Sequence, residues 1–159
     1  MSKPAFDLKK WTHVLALGFG SGLAPKAPGT FGTLAAIPLV WLQSQMSPWL
    51  ALVWVGLLFL LGCYVCGKTA EDIGEHDHGA IVWDEVAGFS LAMWTLPFEW
   101  PYLLAAFVLF RFFDIVKPWP IRLLDHKVPG GLGIMLDDML AGAMSLAVIL
   151  LLVPYLPFG

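Results

Sequence analysis

WLALVWVGLLFLLGCYVCG, residues 49–67, runs for nineteen positions without a charge. Coiled as a helix it is about 29 Å long, close to the roughly 30 Å hydrocarbon thickness of a bilayer. The pattern recurs on either side. An apolar run from Leu34 to Met46 precedes it, ending in the uncharged turn QSQMSP (43–48). Shorter runs follow at Val86–Leu96 and Tyr102–Phe110, and a last one covers Met139–Phe158. Period-two alternation is absent, and Pro, Gly and aromatics punctuate runs too long for strands, so the elements are helical. A bilayer forces the same choice, because each backbone polar group there needs a partner within its own segment. The fold class is therefore all-α, a multi-helical integral membrane bundle of about five apolar helical runs, built as one domain over 1–159. The runs 86–96 and 102–110 fall short of spanning length. They are expected to be re-entrant, extended by their neighbours, or shielded inside the bundle.

Composition supports a lipid-facing surface. The chain is 58% hydrophobic and 13% charged, with a mean hydropathy of +0.76. Soluble domains run nearer 45–50% apolar and about 25% charged, so a soluble helical module is the weaker alternative. A net charge of −3 with no basic stripe gives no footprint for a nucleic-acid partner. Lys3, Lys9, Lys10, Lys26, Lys68, Arg111, Lys117, Arg122 and Lys127 share a few polar patches with eleven of the twelve acids; Glu99 stands apart. Lys and Arg collect on the cytoplasmic side of membrane proteins, so the Gly-rich and acidic segments are placed on that face. Residues 1–12 read as an interfacial start, with Phe6, Leu8 and Trp11 among lysines. No short apolar run with a small-residue cleavage site follows them, so the N-terminus is expected to be cytoplasmic and retained. Cys63 and Cys66 form a C-x-x-C inside an apolar run, without an exposed thiolate or a second pair for zinc. They read as packing residues.

Four polar clusters could carry chemistry. The first is the loop Gly18–Thr33, containing SGLAPKAPGTFGT. Its glycines, Gly29 among them, let backbone N–H groups approach an anion, and Lys26, Thr30 and Thr33 add donors. A helix starting near Thr30 or Thr33 would also aim its positive end at a phosphate. It is neither a dinucleotide fingerprint nor a Walker loop. The second, EDIGEHDHGAIVWDE, sets Asp84 and Glu85 immediately before an apolar run. One carboxylate there would serve the helix dipole; a pair beside His76, Asp77 and His78 exceeds that need. His-ligated zinc is the weaker alternative, since H-D-H does not have the spacing of H-E-x-x-H. The third, FRFFDIVKPWPIR, puts Arg111 and Asp114 on one helical face, with Lys117 beyond and Pro118 ending the helix. Snorkelling to headgroups would explain the cations equally. The fourth, GGLGIMLDDMLAG, carries Asp137 and Asp138. Membrane-edge carboxylates are costly, and two adjacent ones repel unless a cation joins them. Asp84–Glu85 and Asp137–Asp138 together offer hard oxygen ligands, which suit Mg²⁺.

GFGSGLAPKAPGTFGT, HDHGAIVWDE, FRFFDIVKPWPI and GGLGIMLDDMLAG, in this order across roughly residues 13–145, resemble the phosphatidylglycerophosphatase A family. The resemblance implies a Mg²⁺-dependent phosphatase of the bacterial inner membrane, with its active face cytoplasmic. Its reaction would turn phosphatidylglycerophosphate into phosphatidylglycerol among the membrane lipids. It also implies metal and catalytic sites at Asp84, Glu85, Asp137 and Asp138 with Asp114 nearby, and Glu71 and Asp72 as weaker candidates. Other phosphatase designs are absent: there is no D-x-D-x-[TV], no C-x5-R and no Arg-Pro dipeptide, nor the D-G-x2-A-R of CDP-alcohol phosphotransferases. On this basis Arg111, Lys117 and the Lys26–Thr33 loop would neutralise the phosphate held by the metal. The attacking group is a metal-activated water or a carboxylate such as Asp114. The competing function is a small transporter or channel subunit whose acids bind a translocated cation.

Overall fold

The computed structural model describes residues 6–125 and 127–155; Lys3 and the end of the last apolar run, 156–158, lie outside them. The described residues form α1 (Trp11–Ala16), a 3₁₀ turn (Ser21–Leu23), α2 (Pro28–Ala35), α3 (Ile37–Ser44) and α4 (Pro48–Ile73). There follow α5 (Trp83–Ala92), α6 (Trp100–Val116), α7 (Ile121–Asp125) and α8 (Gly130–Leu152), which continues as a 3₁₀ turn through Tyr155. No strand occurs among them.

Local chemistry sets the bounds of α4. The Ser47 hydroxyl accepts the Leu50 N–H (3.4 Å), Pro48 occupies the first turn, and Gly74 closes the helix at φ +70°. Both α4 and the stretch Gly130–Tyr155 are long and apolar enough to cross a membrane, with mean hydropathies of 2.3 and 2.0. Only 33% and 39% of those windows are buried, unlike the core helix of a soluble protein. On α4, Leu50, Val53, Leu57, Leu60 and Tyr64 recur at helical spacing, each more than half exposed. Trp100, Leu104, Val108, Phe112 and Ile115 do the same on α6. Uncovered apolar stripes of this size call for an apolar solvent.

The expected layout of about five apolar runs is only partly realised, for among the described residues two helices reach spanning length. The run Leu34–Met46 is divided between the end of α2 and α3, whose eight residues cover about 12 Å. Pro38, in the first turn of α3, prevents the two helices from merging. The ten-residue α5 is short because it begins inside the bundle. Trp83 at its start donates Nε1–H to the Leu58 carbonyl, partway along α4 (3.0 Å), while Trp94 just beyond its end donates to Pro48, the first residue of α4 (2.8 Å). The rest of the passage is made by non-helical chain: Ala80, Ile81 and Val82 are buried, and the Val82 N–H reaches the Ala16 carbonyl (2.8 Å). Irregular backbone is tolerated there because protein covers it.

The long α8 packs against α4, α5, α6 and α7. Small residues bring its backbone close to its neighbours. A Cβ on Gly88 would strike the Asp138 carbonyl, one on Gly142 the Gly88 carbonyl, and one on Gly131 the Cys63 carbonyl. Cys63 and Cys66 are free thiols, Cys66 fully buried among Leu58, Val65, Trp83 and Met135. A second core, around Phe89, Phe110, Val40 and Ile149, joins α3, α5, α6 and α8.

Candidate active site

The glycine crossing of α5 and α8 determines which side chains meet. Asp84 and Glu85 form the first turn of α5, anchored by Trp83, and Asp138 lies beside them on α8. They are 7%, 8% and 2% exposed, and one oxygen of each lies within 4.8 Å of the others. Asp84 Oδ1, Glu85 Oε2 and Asp138 Oδ2 have no hydrogen-bond partner among the described residues. Three clustered, desolvated carboxylates repel each other and lack donors, and a bound cation would offset both penalties. Donors that are all carboxylate oxygen fit a hard divalent ion of the Mg²⁺ type rather than a thiophilic metal.

A cationic rim stands next to this triad. Arg111 Nη1 is 3.6 Å from Glu85 Oε1 and is hydrogen-bonded to Asp114, three residues on along α6. The first turn of α2 closes over the pair. Ala27 caps α2 in the left-handed region (φ +48°), Pro28 is its first residue, and Gly29 follows. A Cβ on Gly29 would lie 2.9 Å from both terminal nitrogens of Arg111 and would collide with Glu85. Only glycine lets the positive end of α2 approach so closely.

Adjacent acids on a helix point about 100° apart, so Asp137 and Asp138 diverge. Asp138 joins the triad, and Asp137 Oδ2 receives the Lys117 ammonium at 2.7 Å. Lys117 ends α6 in the left-handed region (φ +46°). The expected four-acid ligand set therefore appears as three converging acids, with the fourth paired to a cation one helix face away.

The remaining candidates occupy varied positions. Lys26 is exposed on its loop and Thr30 is partly exposed in the first turn of α2. Thr33 is buried and donates its hydroxyl to the Gly29 carbonyl (2.9 Å), so it supports the helix that carries Gly29. Glu71 is exposed on α4. Asp72 is engaged by Lys10 (2.8 Å), Lys68 (3.0 Å) and His13 (3.1 Å), a clamp that ties α1 to α4. His76 and His78 accept the backbone N–H groups of Gly130 and Ala80, both at 3.0 Å, and neither joins the triad. Sequence reasoning missed His13 and the glycines Gly88 and Gly142. Their partners Asp72, Asp138 and Gly88 are 50–59 positions away, and only the i, i+4 pair Gly88 and Ala92 on α5 offered a signal. A carboxylate triad flanked by a guanidinium and a helix N-terminus would, with a cation in place, be suited to binding and polarising a phosphate.

The family model of phosphatidylglycerophosphatase A matches residues 14–153. A phosphatidylglycerophosphatase A of Haemophilus influenzae is 52% identical over 139 residues, covering 86% of this chain and 85% of that protein. One of Escherichia coli K12 is 47% identical over 161 residues, covering 100% of this chain and 93% of that protein. No solved structure matches the chain.

Proposed function

Since the chain belongs to the phosphatidylglycerophosphatase A family and is a phosphatase, we propose that it hydrolyses the terminal phosphate monoester of phosphatidylglycerophosphate with Mg²⁺ as cofactor. The products are phosphatidylglycerol and inorganic phosphate. One observation carries the proposal: three buried carboxylates converge within 4.8 Å, each with an oxygen lacking a donor, beside Arg111.

Asp84, Glu85 and Asp138 would hold the ion. When bound, it supplies fixed positive charge that polarises the phosphoryl group. Arg111 and Lys117 neutralise the other phosphate oxygens, Asp114 orients the first and Asp137 the second. Gly29 and Thr30 present the positive end of α2, with Lys26 at its approach. Phosphoryl transfer needs mainly positioning and charge stabilisation, which these groups provide. Water is the attacking group. Its oxygen bonds to phosphorus as the phosphorus–oxygen bond to glycerol breaks. Asp114, the one acid of this group that is not fully buried, takes the water's proton at a carboxylate oxygen and releases it to solvent, while the departing glycerol oxygen takes a proton from solvent water.

The protein is placed as a single domain in the bacterial inner membrane, its charged end in the cytoplasm. The uncovered apolar stripes, and the ion pairs of Lys10, Lys68, Arg111 and Lys117 near the ends of α1, α4 and α6, support this placement. α4 and α8 cross, and α3, α5 and α6 complete a layer of about five apolar runs. The acyl chains stay in the bilayer during the reaction. A transporter or channel is not favoured, because three of the acids gather in one cluster and the family is one of phosphatases.

Phosphate release from phosphatidylglycerophosphate in detergent micelles tests this. Release should depend on Mg²⁺, stop with excess EDTA and return when Mg²⁺ is restored. Release that continues in EDTA would remove the metal; no release from intact, monodisperse protein would remove the substrate.

A further inference from the structure

The loop leading into α2 and the chain leading to α5 line an open cleft of about 390 Å³. Its walls include Phe6, Leu23, Pro25, Pro28, His78 and Ala80. Two of these lead straight to the triad. Pro28 precedes Gly29, which abuts Glu85 and Arg111, and Ala80 is four residues before Asp84. The walls are mostly apolar, and His78 is their one ionisable side chain.

His78 is fixed in one orientation. Its Nδ1 accepts the Ala80 N–H at 3.0 Å, so the neutral ring carries its proton on Nε2. Phe6 stands edge-on to the ring, with centroids 5.2 Å apart and planes at 75°. The carboxylate of Glu75, on an exposed side chain, is 3.9 Å from Nε2, beyond hydrogen-bond range. The result is a positioned N–H donor in an apolar recess whose wall residue Pro28 adjoins Gly29, the glycine packed on Glu85 and Arg111. Lys26 is exposed between the two wall prolines in the chain.

The substrate proposed above contains two phosphates, a terminal monoester that reacts and an inner diester joined to glycerol. We propose that this cleft is the subsite for the inner phosphodiester and its glycerol, with His78 Nε2–H donating to a diester oxygen. The apolar walls suit the glycerol carbons, and Lys26 balances the diester charge. The subsite rests on the phosphatase function proposed above, and makes His78 a specificity-determining residue.

The test separates the two nitrogens of the ring. In His78→Asn the amide oxygen can take over the Nδ1 bond to Ala80, but the distal donor is lost. In His78→Gln the amide N–H reaches towards the Nε2 position. Phosphatidylglycerol formation is followed by chromatography, with two competing inhibitors. Glycerophosphoglycerol has the diester but no monoester; inorganic phosphate resembles the monoester alone. For His78→Asn, inhibition by glycerophosphoglycerol should weaken and KM for the lipid should rise, each about tenfold, while inhibition by inorganic phosphate stays unchanged. His78→Gln should recover most of the inhibition. The subsite is overturned if His78→Asn matches wild type, if both inhibitors weaken in parallel, or if wild type is insensitive to glycerophosphoglycerol. A wild-type protein that forms no phosphatidylglycerol refutes the proposed function instead, so the two failures are distinct.

Discussion

Replacing Gly88 by Ala adds one methyl group at the α5–α8 crossing, and its effect should appear in the metal requirement. The new Cβ would meet the Asp138 carbonyl, with the carbonyl carbon at 2.9 Å and Phe110 Cε2 at 2.8 Å. Ordinary carbon contacts need about 3.5 Å or more, so the helices must separate by several tenths of an ångström. The obstacle on the α8 side is backbone, which cannot rotate away as a side chain would. Overpacking of this kind costs about 1–3 kcal/mol. The same displacement carries Asp138 away from Asp84 and Glu85, and Mg²⁺ demands near-ideal octahedral geometry at about 2.0–2.1 Å. A loss of about 1.4 kcal/mol in ion binding is tenfold in affinity, so the Mg²⁺ concentration giving half-maximal phosphate release should rise at least about tenfold. The melting temperature in detergent should also fall. Gly56→Ala is the matched control, since a Cβ there meets nothing within 4 Å; it should leave both quantities unchanged or raise stability slightly. A Gly88→Ala enzyme with wild-type Mg²⁺ dependence would refute the idea that this crossing sets the spacing of the acids.

Other expectations concern the acids themselves. In EDTA, Asp84→Asn should melt at a higher temperature than wild type, because one of three mutually repelling charges is gone. Mg²⁺ should then stabilise wild type but not the variant, and phosphate release should drop at least about a hundredfold. A lower melting point in EDTA would show that the three carboxylates do not repel. Asp137→Asn and Asp138→Asn should differ in kind: the first raises KM for lipid with a normal Mg²⁺ requirement, the second raises the Mg²⁺ requirement itself. Identical Mg²⁺ titrations for the two variants would put both acids in the same role.

The sequence reveals the helical class and the polar clusters because both depend on local signals. Charge-free runs of spanning length and adjacent acids at helix edges need no long-range information. The three-dimensional grouping of the acids is less legible. That Asp138 and not Asp137 joins Asp84 and Glu85 follows from how α8 is rotated, and that rotation depends on Gly88 and Gly142 meeting from 54 residues apart. The shortness of α5 is a similar case. Its apolar run continues to Leu96, but where the helix begins is set by Trp83 reaching the Leu58 carbonyl, a contact outside any local window. The C-x-x-C could be dismissed early because burial in an apolar run has a composition that shows in the sequence. The Asp72 clamp could not be foreseen, because its partner His13 is 59 residues away.

The divergence of Asp137 and Asp138 on α8 has a consequence for which changes of chain length the protein can absorb. One helix offers Asp138 to the acidic triad and the adjacent Asp137 to the Lys117 ammonium. Inserting a single residue between Asp138 and Gly142 turns both acids by about 100° relative to the crossing with Gly88. It would break the ion site and the lysine pairing together, although no charge is removed and no hydrophobic residue is lost. The same insertion beyond Leu150 displaces Leu151 and Leu152, which are exposed, and, of the described core, Val153 at its edge. From the acids through the buried Ile149, α8 is thus read in phase, and only its last turn by composition, so reading-frame-preserving insertions and deletions should be purged from most of the helix and tolerated at its end.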